Sequence, residues 1–199
     1  MKKAGTKKEV SAYTGPHDPN LKLEDFSKDV LAKLVGEYAR LAMLIEAFWV
    51  DIIGKRYGRE EAFRDALAVR ARQGPMEMRS VKETLKIPGD DVLTFIKTLD
   101  FIPDGPGFRD AFENHYDIKD NNHVILTVTH CRPVEYYEEK GDREGQRWLC
   151  EILEPTLFDK YAQDINPDMK CVPLKIPPRE SKDGIFCQWE IKLEPKPKE

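Results

Sequence analysis

The sequence predicts an α+β protein, with an N-terminal helical part packed on a small, mainly antiparallel sheet arranged as hairpin, helix, hairpin. Three observations predict it. Apolar residues recur at three and four from Ser27 to Ile53 and again over 59–72. The period changes to two after Gly105-Pro106-Gly107. Near the end, Ile185, Cys187, Trp189, Ile191 and Leu193 alternate with Phe186, Gln188, Glu190 and Lys192. Helices followed by strands are the order of an α+β domain.

Residues 1–22 carry Gly5, Gly15, Pro16 and Pro19 without periodicity and read as a flexible arm. A single domain is expected over 23–194, its helical part 23–103 and its sheet and cysteine-rich part 104–194. Pro195-Lys196-Pro197 opens a tail over 195–199. The first helix has Val30, Leu31, Leu34, Leu41, Leu44, Ile45, Phe48 and Ile52 as its apolar positions. The second has Ala62, Phe63, Ala66, Leu67 and Val69, and Gly74-Pro75 is expected to break it. Shorter helices follow at 76–86 and 90–101, separated by Pro88-Gly89, with Asp90 or Asp91 as cap. Phe108, Phe112, Tyr116 and Ile118 share one parity. Asp120-Asn121-Asn122 is a turn, and Val124, Leu126 and Val128 form the facing strand. Arg143 to Ile165 reads as a helix with Trp148, Leu149, Ile152, Leu153, Leu157 and Tyr161 on its apolar side and a kink at Pro155. Val172, Leu174 and Ile176 make the third strand, and Pro177 to Gly184 is the loop into the fourth.

Composition excludes several classes of function. The chain has 199 residues, 40% hydrophobic and 34% charged, with net charge −4. That size buries about two-thirds of the unfolded surface, so no disulfides are required. An acidic balance argues against nucleic acid as a partner. No run of eighteen uncharged apolar residues exists, and the richest stretch, Leu41 to Ile53, contains Glu46 and Asp51, so no membrane span is expected. The start lacks the apolar region of a secretory signal, which points to a cytoplasmic protein with reduced thiols. Lys2, Lys3, Lys7, Lys8, Lys196 and Lys198 make both ends basic, as solubilising tails. Phosphate loops, dinucleotide glycine fingerprints and Gly-x-Ser-x-Gly elbows are absent from the sequence, which disfavours nucleotide-driven chemistry and serine hydrolysis.

Cys131, Cys150, Cys171 and Cys187 all lie in the last third of the chain, without a C-x-x-C pair. Cys131 ends the second strand, Cys150 lies in the following helix, and Cys171 and Cys187 begin the last two strands. If both hairpins join one sheet under that helix, the thiols converge. Four thiolates suit tetrahedral zinc, at about 2.3 Å, or an iron–sulfur cluster. The alternative is buried cysteine acting as a small hydrophobe, and Cys187 has the parity of Ile185 and Trp189.

Two other groups are candidates for proton transfer. Glu46 has Ala42, Met43, Trp49 and Val50 as its helical neighbours. A carboxylate so placed either has a raised pKa and serves as general acid or base, or is paired with an arginine from another helix or set at an exposed edge. His130 shares parity with Val124, Leu126 and Val128 and is expected inward, on the opposite face from Cys131. It is a second acid–base candidate, or a hydrogen-bonded structural histidine. Tyr136-Tyr137 and Trp148 are candidates for pocket walls or for core.

The stretch Asp164-Ile165-Asn166-Pro167-Asp168-Met169-Lys170-Cys171, then Pro177-Pro178, then Cys187-Gln188-Trp189-Glu190, resembles the C-terminal signature of an uncharacterised bacterial and archaeal family allied to L-2-amino-thiazoline-4-carboxylic acid hydrolase. His130-Cys131-Arg132-Pro133 and Cys150 match its earlier cysteines, and Trp49, Tyr57-Gly58 and Ala62 are similar to its helical part. A more distant likeness is to the 4-vinyl-reductase domain of small-molecule sensors, carried by Asp168, Cys171, Gly184, Cys187-Gln188-Trp189 and Cys150. That likeness implies a zinc ion held beside an apolar ligand pocket. The loop between Cys171 and Cys187 is longer here and the acid is Asp rather than Glu, so the fourth ligand to Cys150, Cys171 and Cys187 is either Cys131 or Asp168.

Three functions are therefore expected as alternatives. One is a zinc-binding protein that holds a small, partly apolar molecule, with Trp49 and Trp148 at the pocket. Another is a hydrolase that opens a cyclic amidine or thiazoline ring, acting on carbon–nitrogen bonds, with Glu46 or His130 moving protons and a nucleophilic Cys131 as its metal-free version. The third is an accessory subunit whose apolar helical face meets a partner, either a second copy or another chain.

Overall fold

The structure, a computed structural model, describes residues 9–108, 111–179, 181 and 183–194. The basic ends and the tail from Pro195 lie outside the described residues. Of the expected arm, residues 9–22 are described. Val10 bridges to Phe26 beside the first helix, and the Tyr13 ring meets Phe26 edge-on at 6.4 Å.

Helix α1 (Lys28–Tyr57) starts where Ser27 Oγ accepts from the Val30 amide at 3.4 Å. Helix α2 (Arg59–Thr84) then runs unbroken through Gly74-Pro75, where a break was expected. Proline inside a helix costs about 3 kcal/mol, and packing against a later helix offsets it. Gly74 lets the Tyr161 ring lie on the α2 backbone, where a Cβ would sit 1.7 Å from Tyr161 Cε1. Helix α3 (Val92–Leu99) is capped by Asp91, whose Oδ1 accepts from the Thr94 amide at 2.8 Å, and it buries Val92, Phe95, Ile96 and Leu99.

The sheet comprises β1 (Phe112–Asp120), β2 (His123–Cys131), β3 (Met169–Lys175) and β4 (Cys187–Leu193), in the order β1-β2-β4-β3. Every neighbouring pair is antiparallel, so the two hairpins do join one sheet. Its inner face carries Val124, Leu126, Val128, Trp189 and Ile191, all buried. The other face presents Thr127, Gln188, Glu190 and Lys192, as expected for an antiparallel sheet with one solvated side.

Two strand parities differ from expectation. A bulge separates the Glu113–His130 pair from the Asn114–Val128 pair, leaving Thr129 as the extra residue. Beyond it the alternation shifts by one, so Cys131 is buried and His130 is only half-buried. In β3 the buried residues are Met169 and Cys171, while Val172 and Leu174 are exposed. Pairing of Cys171 with Ile191 fixes that register from the core side.

Between the hairpins, an unexpected helix α4 (Arg132–Lys140) starts at the strand end with Pro133 in its first turn. It stops at Gly141, whose φ of 65° suits glycine. Then α5 (Arg143–Arg147), a π-helical turn (Trp148–Leu153) and α6 (Glu154–Ile165) follow end to end, over the span read from the sequence as one helix. The π turn stands where a kink was expected. Pro155 has no N–H to donate, the Glu154 amide bonds back to Leu149 O, and Thr156 Oγ1 covers Ile152 O at 2.7 Å. Helix α6 lies on the inner face of the sheet near β3 and against α2. Trp189, Phe95, Met78, Leu126, Leu157 and Met169 are the bulkiest fully buried side chains between these layers.

Candidate functional site

A cavity of about 80 Å³ lies where the π turn and α6 cross the inner ends of β1, β2 and β4. Its walls are mostly apolar, formed by Val128, Leu149, Leu157, Phe158, Phe186 and Trp189 among others. Phe158 stacks flat on Trp189 at 4.6 Å, which fixes one wall. Three thiols line it: Cys131 from the end of β2, Cys150 from the π turn and Cys187 from the start of β4. The Trp189 indole donates to Cys187 Sγ at 3.2 Å.

One side of the cavity is polar. Arg70 of α2 is buried there, donating to Asp104 and, at 3.1 Å, to the Tyr161 hydroxyl. Glu46 of α1 and Glu77 of α2 each stand 3.7 Å from the same guanidinium. Glu154, at the start of α6, also lines the cavity, with no hydrogen bond or ion pair among the described residues. It is half-buried. One guanidinium thus faces an excess of carboxyl groups. Burial, aided by Asp104 and opposed by Arg70, pushes the Glu154 carboxyl up to about 7. Burial also raises Glu46 and Glu77 against the pull of Arg70.

Three buried acceptors on this side have no hydrogen-bond donor among the described residues: Asp104 Oδ1 and Asn114 Oδ1 of lining residues, and Glu77 Oε2 behind Arg70. The orientation of Asn114 follows from its neighbours. Tyr116 donates its hydroxyl proton to Asp100 at 2.5 Å, so it accepts from Asn114 Nδ2 at 3.1 Å. That leaves the Asn114 carbonyl oxygen buried without a donor, in a residue of the cavity wall. A buried acceptor left unmatched costs about 1–3 kcal/mol, so a donor group entering the cavity gains from the two on lining residues.

The thiols are not activated. Burial raises Cys131, Cys150 and Cys171, and it takes Cys187 to about 12 against the indole hydrogen bond. Without a metal beside them all four are held toward the protonated form, the state of inert buried cysteine rather than of an activated nucleophile.

The residues singled out in the sequence fall in different places. Cys131, Cys150 and Cys187 meet at the cavity; Cys171 does not. It pairs with Ile191, four residues along β4 from Cys187, hence about 13 Å away along the strand. Thiolates sharing one zinc must each approach to about 2.3 Å. Asp168 sits in the turn before β3, its amide bonded to Asn166 Oδ1 at 3.0 Å. The zinc implied by the sensor-domain likeness therefore does not fit this set, and among the described residues no three His, Cys, Asp or Glu side chains are grouped to hold a metal ion. Glu46 has the arginine partner from another helix that was one of its two readings. His130 places Nδ1 3.3 Å from Glu135 and meets Phe186 edge-on, away from the cavity lining. Trp148 stacks on Phe63 at 4.2 Å, and neither it nor Trp49 lines the cavity.

Sequence reasoning missed Glu154, Asp104, Asn114 and Arg70. Glu154 was findable, since Cys150, Glu154, Leu157 and Tyr161 follow at intervals of four, three and four. An acid on the apolar stripe of its helix is the same signal that drew attention to Glu46.

The fold and the site together define an α+β protein with a small acid- and thiol-lined cavity between a helical layer and one antiparallel sheet. A family model described as a family of unknown function, DUF6125, matches residues 24–193, and the chain belongs to that family. No curated protein and no solved structure matches it. No helix among the described residues is long and apolar enough to cross a membrane.

Proposed function

We propose that this protein binds a small, partly apolar molecule with a hydrogen-bond-donating, cationic end. The single observation that carries the reading is the polar side of the cavity, where Glu154 lines the wall and Asp104 Oδ1 and Asn114 Oδ1 are buried acceptors without donors. Excess carboxyl groups around Arg70 favour an amine or amidine over an anion. The apolar walls take a short hydrocarbon part. A volume near 80 Å³ is about half of the ~150 Å³ apolar cavity that takes up benzene, so the occupant has only a few heavy atoms unless the walls move. Four free cysteines support the cytoplasm as its place of work.

Thermal unfolding with propylamine, isobutylamine or acetamidine, against propanol and propionamide as neutral controls, tests this. The cations are expected to raise the melting temperature and the Glu154→Gln variant to lose that response. Equal effects of neutral and cationic probes, or no effect of any, overturn the reading.

A second reading is favoured by the near-neutral carboxyl of Glu154, the range in which a general acid or base works best. The likeness to the thiazoline-carboxylate hydrolase supports hydrolysis of a cyclic amidine in the same cavity. Glu154 would take a proton from the attacking water and return it to the departing heteroatom. Incubation with 2-amino-2-thiazoline, the cyclic amidine without a carboxylate that the acid-rich cavity suits, with ring opening followed by mass spectrometry, tests it. Turnover lost in Glu154→Gln supports this reading; binding without turnover leaves the first.

A further inference from the structure

The outer face of α1 has no cover among the described residues. Tyr38, Leu41, Ile45, Phe48 and Ile52 follow at intervals of three, four, three and four, and each is 44–69% exposed. The opposite side of the helix is the one used by the fold, where Ala39 is buried and Glu46 reaches Arg70 of α2. A helix apolar on both sides is normally enclosed on both. The spacing is that of a coiled-coil seam, in which a and d residues meet a second helix of the same period.

We infer that this face joins two copies of the chain, with the two α1 helices side by side and parallel about a two-fold axis. Three observations choose that occupant. First, a heptad seam is complementary to itself, and two-fold pairing closes so that no unpaired seam remains. Second, the flanking charges fit the parallel arrangement. With Tyr38, Ile45 and Ile52 at a and Leu41 and Phe48 at d, Asp51 falls at g and Arg56 at the following e. In a parallel pair each Asp51, bonded in its own helix to Lys55 at 2.6 Å, also faces the other copy's Arg56, and Glu37, bonded to Arg40 at 2.8 Å, faces Ala42. Lys55, at the next d position, ends the apolar seam after Ile52. An antiparallel pair centred on Ile45 sets Glu37 against Asp51, like against like. Third, the five side chains leave on the order of 500 Å² of apolar surface per copy, or about 1,000 Å² for the pair, the lower bound for a specific interface. Half-buried Leu31, Leu34, Leu44 and Trp49 flank the seam and add to it. The other side chains of α1 are of both signs, with Lys33, Arg40 and Lys55 beside Asp29, Glu37 and Asp51, so the face is not the basic one that an anionic membrane attracts.

Sedimentation equilibrium of the full chain is expected to give a dimer. Ile45→Lys, at the centre of the seam and 69% exposed in the single chain, is expected to weaken association by roughly 30-fold or more. Its circular dichroism should match that of the parent and it should still unfold cooperatively, at a temperature below the dimer's, and Phe48→Lys repeats the test should Ile45→Lys fail to fold. Val172→Lys, on exposed β3, should leave the dimer intact. Tyr38→Cys is expected to form a disulfide-linked dimer on mild oxidation, because a positions face their own copies in a parallel pair. In the antiparallel pair these residues lie about 20 Å apart. A monomeric parent, a dimer indifferent to both lysine variants, a dimer in which Tyr38→Cys fails to cross-link, or a monomer that floats with phosphatidylserine vesicles would each overturn the inference.

Discussion

Replacing Glu154 by glutamine removes a carboxyl group while keeping its shape, and the consequence depends on pH in a way the structure fixes. The group titrates near 4.5 when unfolded and near 7 in the fold. A raised carboxyl pKa means that the native state holds the proton more tightly. Its contribution is therefore fully present below pH 4.5 and is lost as pH rises through 7. At about 1.36 kcal/mol per unit, the whole interval is worth roughly 3 kcal/mol, of which about 2.5 kcal/mol falls between pH 5 and pH 8. Glutamine cannot ionise, so Glu154→Gln should gain about that much on the parent across the same range. Other carboxyl groups titrate in both proteins and cancel in the comparison. Urea unfolding at pH 5, 6, 7 and 8 measures it. With a slope near 2 kcal/mol/M, the midpoint difference should grow by roughly 1 M from the lowest pH to the highest. A difference that stays constant with pH would show that Glu154 ionises normally, and the acid-lined cavity would lose its central group.

Arg70→Met should destabilise by roughly 3–5 kcal/mol at pH 8, since it strands three carboxylates, and by less as the pH falls, because burial raises Glu46 and Glu77; the same urea series reports it. Gly74→Ala favours a helix by about 1 kcal/mol, yet it is expected to lower stability by roughly 1–3 kcal/mol, because Tyr161 is buried and its ring occupies the new methyl's place. Gly36→Ala, within α1 and facing open space, should instead raise the unfolding midpoint, by about 0.5–1 kcal/mol. Native protein at pH 8 should react only slowly with a disulfide reagent such as dithionitrobenzoate, whereas urea should release all four thiols; rapid reaction of Cys131 in native protein would contradict its inert state.

Local signals carried the sequence reading wherever one element decided the outcome. Alternation in 185–193 placed Trp189 and Ile191 inward, and Asp91 capped the helix it preceded. The errors arose where a second element intervened. Nothing near Gly74-Pro75 in sequence announces Tyr161, which holds α2 straight from 87 residues away. The bulge at Thr129 is set by pairing with β1, and a one-residue shift is enough to exchange His130 and Cys131 between faces. Exposed Val172 and Leu174 look like core to any alternation rule, until the partner strand selects Met169 and Cys171. For the cavity, three thiols were marked by residue type and by their place at strand ends and in the helix, while Glu154 was missed although it lies on the apolar stripe of its helix. Arg70 and Asp104, 34 residues apart, become a pair only through the chain's return after α3.

The acid excess also says how binding and protonation must be linked. A buried arginine kept only for stability needs one carboxylate, and each further one adds desolvation without a matching gain. Such an unfavourable arrangement is what a binding site retains. A cation placed beside Glu154 favours its ionised form, so binding must expel the proton that the empty fold retains near neutral pH. With a carboxyl titrating near 7, the ionised fraction rises roughly tenfold from pH 6 to pH 8, and affinity for a small amine should rise by the same factor. Titration calorimetry with isobutylamine in two buffers of different ionisation enthalpy measures both quantities. Below pH 7 the proton released per amine bound should approach one, and Glu154→Gln should abolish both the release and the slope. Affinity that is flat with pH, without proton release, would place the amine somewhere other than against this carboxyl.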